Sequence, residues 1–178
     1  ISSRGVFAFM ISIRHVESIP DFEERLLPFF DALMELLSIS HGELSLVLCN
    51  DQEIQKLNAE WREKDKPTDV LSFPMIEESL VPYIEEEKPW PMHWSAEAAG
   101  PPVILGDIVI SVETCIRQAE EMNHSFDDEA KRLFTHGLLH LCGYDHEESE
   151  EEAKLMFARE ETCLQKLTEG VVLPLTSM

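Results

Sequence analysis

An α+β protein is predicted from this chain of 178 residues, with about four short strands and about five helices. Three observations predict it. Short runs carry apolar residues in alternation, five longer stretches carry them at helical spacing, and glycine, proline or a capping residue stands between most of these segments. The length suits one domain with a single core, which the pattern places over residues 10–170. Residues 1–9 do not continue that pattern and read as a non-native or disordered leader, and 75–102 read as an inserted loop.

The elements follow in order. Met10 to His15 alternates as a strand. Pro20 and Asp21 open a helix on which Phe22, Leu26, Phe29, Phe30, Leu33 and Leu37 form an apolar stripe. Gly42 breaks it, and Glu43–Cys49 returns to strand patterning with Leu44 and Val47. Asn50 or Asp51 caps the next helix, with Ile54, Leu57 and Trp61 expected on its inner side. Pro67 prevents continuation, and Val70–Phe73 is short enough to be a strand stopped by Pro74. Its expected sheet neighbour is Val103–Ser111. Between them the insertion is rich in Glu, Pro and Trp; its Trp90, His93 and Trp94 suit a lid or a partner contact, but the stretch reads first as a mobile insertion.

Helical spacing resumes from Val112 to Met122 with Cys115, Ile116 and Ala119. Ser125 followed by Asp128 is a capping signature for another helix, whose core face carries Ala130, Leu133, Phe134 and Leu141. A last helix from about Glu148 to Thr168 has Ala153, Met156, Phe157, Cys163, Leu164 and Leu167 inward. Glu160 falls among them and is expected to reach solvent at the margin, the alternative being a hydrogen bond to a group inside.

Composition excludes several functions. A net charge of −21 argues against a broad phosphate-tracking surface, which needs clustered lysine and arginine. It leaves room for a small basic pocket or for recruitment to nucleic acid through a protein partner. No apolar run approaches a membrane span, and no cleavable signal is visible. Cys49, Cys115, Cys142 and Cys163 are scattered without a C-x-x-C pair, which reads as reduced, buried thiols in a cytoplasmic protein.

The stretch with the most chemistry is His136-Gly137-Leu138-Leu139-His140-Leu141-Cys142-Gly143-Tyr144-Asp145-His146. Residues four apart are stacked neighbours on a helix, so His136 and His140 share a face. Gly143 suits the left-handed conformation that ends a helix, and the short link after it returns His146 toward the pair. Three imidazoles so arranged occupy one face of a tetrahedron and leave the fourth position open, as in catalytic zinc sites. Asp145 suits either an acceptor for a ligand imidazole or the turn itself. The spacing is shared with metzincin peptidases, yet Gly137 stands where their glutamate base would be. Gly137 inside a helix costs on the order of 1 kcal/mol relative to alanine, which calls for a close approach of backbone to sheet, metal or substrate.

Arg62, beside the Pro67–Phe73 segment, suits a phosphate or the added charge of its transition state. Together, the three-histidine stretch, Arg62 with Lys64-Asp65-Lys66-Pro67-Thr68-Asp69-Val70-Leu71-Ser72-Phe73-Pro74, and Leu105-Gly106-Asp107-Ile108-Val109-Ile110-Ser111 resemble the bacterial and organellar YbeY family, from roughly Met10 to Leu167. The resemblance implies an α+β sandwich with a small mixed sheet and one Zn²⁺ per chain on His136, His140 and His146. It further implies a single-strand-specific endoribonuclease in small-subunit ribosomal RNA maturation and ribosome quality control, with Arg62 in the catalytic role. Small-subunit ribosomal proteins and a ribosome-assembly GTPase are the implied partners. The insertion is longer and more acidic than the family pattern. Two other classes stay open from the residues alone: a zinc-stabilised ribosome-assembly factor with little catalysis, and a metallopeptidase or other amidohydrolase.

Overall fold

A computed structural model describes residues 10–37, 39, 42–75, 103–144 and 147–168. The expected leader, most of the insertion with Trp90, His93 and Trp94, and the residues Asp145 and His146 lie outside the described residues. In chain order the elements are β1 (Met10–His15), α1 (Phe22–Leu36), β2 (Gly42–Cys49), α2 (Asp51–Arg62), β3 (Val70–Pro74), β4 (Val103–Ser111), α3 (Val112–Glu121), α4 (Phe126–Leu141) and α5 (Glu150–Thr168). This is the expected α+β architecture of four strands and five helices.

The sheet runs β1-β2-β4-β3 and is mixed, because β1, β2 and β4 are parallel while β3 lies antiparallel on β4. Parallel neighbours need a crossover, and α1 supplies one between β1 and β2. The register of β4 slips once: Glu43 faces Ile104, but Leu44 faces Gly106, so Leu105 is the extra residue of a bulge. A side chain at Gly106 would overlap the Phe73 carbonyl oxygen, so only glycine lets β3 lie against the bulge.

Apolar residues cover both faces of the sheet unequally. On one face Phe22, Leu26, Phe30 and Leu33 of α1, Leu133, Phe134 and Leu138 of α4, and Met156 and Cys163 of α5 close over Leu44, Leu46, Ile108 and Ile110. Phe30 and Phe134 stack at 3.8 Å between ring centroids, joining α1 to α4 at the centre of this core. The other face carries a small cluster in which Ile54 of α2 meets Cys49, Leu71 and Val109. Alternation along β4 produces the split, with Ile108 and Ile110 on one side and Val109 on the other.

Helix starts follow the capping residues. Asn50 Oδ1 accepts from Glu53 N and Ser125 Oγ from Asp128 N. Ser149 Oγ accepts from Glu152 N, which starts α5 at Glu150, two residues later than the apolar pattern alone suggests. Three side chains turn out differently from expectation. Trp61 is 64% exposed, because it lies on the last turn of α2 beside the edge strand β3, where its ring meets Phe73 edge to face. Phe157 is 55% exposed, whereas Glu160 is 5% exposed. Helix α5 buries a line one residue wide (Met156, Glu160, Cys163), and Phe157 is rotated off it by about 100°.

Candidate active site

Helix α4 carries the two histidines. Ser125 caps it, and Asp127, Asp128 and Glu129 place negative charge at its positive end. One side enters the main core, which leaves His136 and His140 half-buried along an edge. Their rings meet edge to face at 4.8 Å between centroids, with planes 76° apart, so the expected pairing across one helical turn is present.

Gly137 lies between them and explains why glycine stands there. A Cβ at this position would be 2.9 Å from Ile108 Cγ2 and 3.2 Å from Ser72 Oγ. Ser72 Oγ donates to the Gly137 carbonyl at 3.1 Å. The helix is therefore seated directly on β3 and β4, and the close approach is to the sheet.

The C-terminal end of α4 closes as a Schellman turn. Gly143, at φ 93°, donates its N–H to the His140 carbonyl at 3.0 Å, and Tyr144 donates to Leu139 at 3.1 Å. The turn thus takes its geometry from the carbonyl of a candidate ligand residue. Cys142 points into the core, where burial pushes its thiol well above the usual range. Among the described residues no cluster of three His, Cys, Asp or Glu forms a metal-sized group.

Sequence reasoning missed the charged residues around His136. His136 Nδ1 lies 3.0 Å from Glu160 Oε2 on α5. The other oxygen of Glu160 is 3.9 Å from Arg132 Nη1, one helical turn before His136. Arg132 also donates Nε, at 3.1 Å, and Nη2 to the Glu129 carboxylate, which is 0% exposed and accepts from His124 Nε2 at 2.7 Å. The hydrogen bond to Glu129 raises the Arg132 guanidinium further above its ordinary value, outweighing the opposing effect of burial. A signal for Glu160 was present in the sequence: a carboxylate centred on an otherwise apolar helical line needs a partner. A groove of about 720 Å³ runs beside it, lined by Arg132, Phe157, Glu160, Leu164 and Gln165.

Arg62 ends α2 and is exposed. Glu63 turns left-handed at φ 57°, Lys64 N donates to the Asn58 carbonyl, and buried Asn58 donates from Nδ2 to the Lys66 carbonyl at 2.8 Å. Asn58 thereby fixes the path of the chain after Arg62. Lys64 Nζ reaches Glu147 Oε1 at 3.8 Å, which ties this loop to the segment following the histidine motif.

Comparison with known proteins adds an independent line. The model of the family described as Endoribonuclease YbeY matches residues 13–168. A protein of that name from Aquifex aeolicus is 44% identical over 138 residues, covering 78% of this chain and 79% of the relative. One from Leptospira interrogans is 45% identical over 132 residues, covering 74% and 91%. The solution structure of TM1509 from Thermotoga maritima superposes with a TM-score of 0.55 at 28% identity, covering 89% of each chain. With a family match over most of its length and relatives this similar, the chain belongs to the YbeY endoribonuclease family.

Proposed function

We propose that this protein is a zinc-dependent endoribonuclease that cuts single-stranded RNA during maturation and quality control of the small ribosomal subunit, in the cytoplasm. The observation that carries the reading is a pair of helix-borne imidazoles, one of them held by a buried carboxylate, in a chain of an endoribonuclease family. The donor set fits the metal. Imidazole suits zinc, and a ring whose second nitrogen meets a carboxylate is the common arrangement around metal-bound histidine. His136, His140 and His146 would hold the ion, one per chain.

Zinc held there would supply Lewis acidity and would lower the pKa of a water toward ~7. The protein's own groups do the remaining work. As ligands, His136 and His140 would be neutral and would leave the positive charge of the ion to face a phosphodiester. Arg62 offers a planar, permanently charged fork for a phosphate oxygen and for charge developing at phosphorus. Asn58 and the Lys64–Glu147 pair hold the loop that presents it.

A net charge of −21 disfavours tight binding of naked RNA, so small-subunit ribosomal proteins and a ribosome-assembly GTPase are the proposed means of delivery. Among the described residues no helix is long and apolar enough to cross a membrane.

The test is cleavage of single-stranded and structured RNA by zinc-quantified wild type, His136→Ala and Arg62→Ala, with the cut ends mapped. Removing the transition-state contact in Arg62→Ala should lower kcat by about 10²–10³-fold without loss of zinc. His136→Ala should lose both zinc and activity. A 2′,3′-cyclic phosphate would identify the RNA's own 2′-hydroxyl as nucleophile, and a 5′-phosphate would identify water. Intact RNA with fully loaded wild type, and unimpaired RNA processing with Arg62→Ala in cells, would replace the enzyme by a zinc-stabilised assembly factor. Casein cleavage abolished by His140→Ala would instead mark a peptidase.

A further inference from the structure

Glu160 breaks the apolar line that α5 presses against α4, and a lone carboxylate in such a place is costly. Its two oxygens diverge, Oε2 to His136 Nδ1 at 3.0 Å and Oε1 toward Arg132 Nη1 at 3.9 Å. Arg132 is held from its other side by Glu129, itself anchored by His124. The result is a ladder of alternating groups, His124, Glu129, Arg132, Glu160 and His136, in which the two carboxylates are buried and the other three side chains half-buried, spanning the α4–α5 seam. Two carboxylates share one guanidinium, and each of them meets an imidazole on its other side.

We propose that Glu160 is the positioning residue of the site: it accepts the Nδ1 proton of His136, fixes that ring's orientation, and leaves Nε2 as the nitrogen for a metal. An ionised carboxylate has no proton to donate, so the bond requires the proton on Nδ1. A carboxylate in this position also makes the far nitrogen a better ligand. Arg132 and Glu129 keep the Glu160 head from rotating toward solvent. Because Glu160 comes from α5 and both histidines from α4, docking of the C-terminal helix becomes a condition for metal affinity, which the histidine motif alone does not reveal.

This inference rests on the metal reading above, and the experiment separates the two. Zinc affinity is measured by competition with a chromophoric chelator for wild type, Glu160→Gln and Glu160→Ala. In parallel, ¹⁵N chemical shifts of the His136 ring are read in metal-free protein at a pH where the imidazole is neutral. Wild type should show the proton on Nδ1, and Glu160→Ala should move it toward Nε2. Zinc affinity should fall about 10–100-fold in Glu160→Ala, the usual effect of deleting a ligand's hydrogen-bond partner, with a smaller drop in Glu160→Gln, whose amide oxygen still accepts. A merely structural glutamate would lower thermal stability without moving the tautomer. A wild-type proton on Nε2 overturns the proposal even if neither variant folds. Folded variants that bind zinc within twofold of wild type also overturn it while leaving the metal reading intact. A wild type that takes up no zinc overturns the metal reading and, with it, the role assigned to Glu160.

Discussion

Two polar networks of similar composition brace this protein, and burial separates them. Between α4 and α5, Arg132 joins two carboxylates that are almost wholly out of water. Between α2 and α3, Asp51 accepts from Ser111 Oγ and Thr114 Oγ1, both at 2.6 Å, and pairs with Arg117 at 2.9 Å, but the Arg117 side chain is mostly in solvent. The first network lies under the candidate site, whereas the second fastens two helix ends together. An arginine–carboxylate pair therefore has a different consequence in each place. In the dry seam a lost partner strands a charge, and at the rim water replaces it.

The largest expected effect breaks the dry seam. Arg132→Met should destabilise by about 3–5 kcal/mol in urea unfolding, because Glu129 and Glu160 both lose their cation. Arg117→Met, the matched change at the rim, should cost less than about 1 kcal/mol. Equal losses would erase the distinction.

A second test presses on the same seam from the sheet side. Gly137→Ala gains about 1 kcal/mol of helix propensity but forces a methyl against Ile108 and Ser72, an overpacking worth about 1–3 kcal/mol. A net loss of about 1 kcal/mol should remain in urea unfolding. A net gain would mean that α4 rides loosely on the sheet.

The smallest effect sharpens the rim. Burial pushes the Asp51 carboxyl up, but hydrogen bonds from Ser111, Thr114 and Arg117 together hold it below its ordinary value. With the folded value below the unfolded one, the unfolded chain binds more protons between them, so stability falls as pH drops through that window. Asp51→Asn should thus be weakly destabilised at pH 6, and its difference from wild type should shrink once pH falls below about 4. A difference that grows on acidification would reverse the sign and remove Asp51 from the ledger of favourable ionised groups.

Local features were legible from the sequence, and features that depend on the opposing surface were not. Asn50 and Ser125 cap the helices they were expected to cap, because capping needs only residues three apart. The histidine pair and the turn at Gly143 are equally local. Trp61 and Phe157 have the right hydropathy for a core, but their exposure depends on where the sheet ends and how narrow α5's contact is. Glu160 shows the converse. Its chemistry argues for solvent, and only a partner 24 residues away on another helix explains its burial. Arg62 was visible as a cation beside a strand, yet the role of Asn58 in shaping its loop depends on a side chain folding back onto the Lys66 carbonyl.

All four cysteines are buried, and burial lifts Cys49, Cys115 and Cys163 to about 12 and Cys142 well above its ordinary range. In the closed protein almost no thiolate exists to attack an oxidant or an alkylating reagent. Their positions divide the molecule, with Cys49 beneath α2, Cys115 on α3, and Cys142 and Cys163 in the main core near α4 and α5. Each sulfur becomes reactive only while its own surroundings breathe open, so the chain carries a set of internal clocks. The rate at which iodoacetamide marks each one times the opening of the small face separately from that of the seam beneath the histidines.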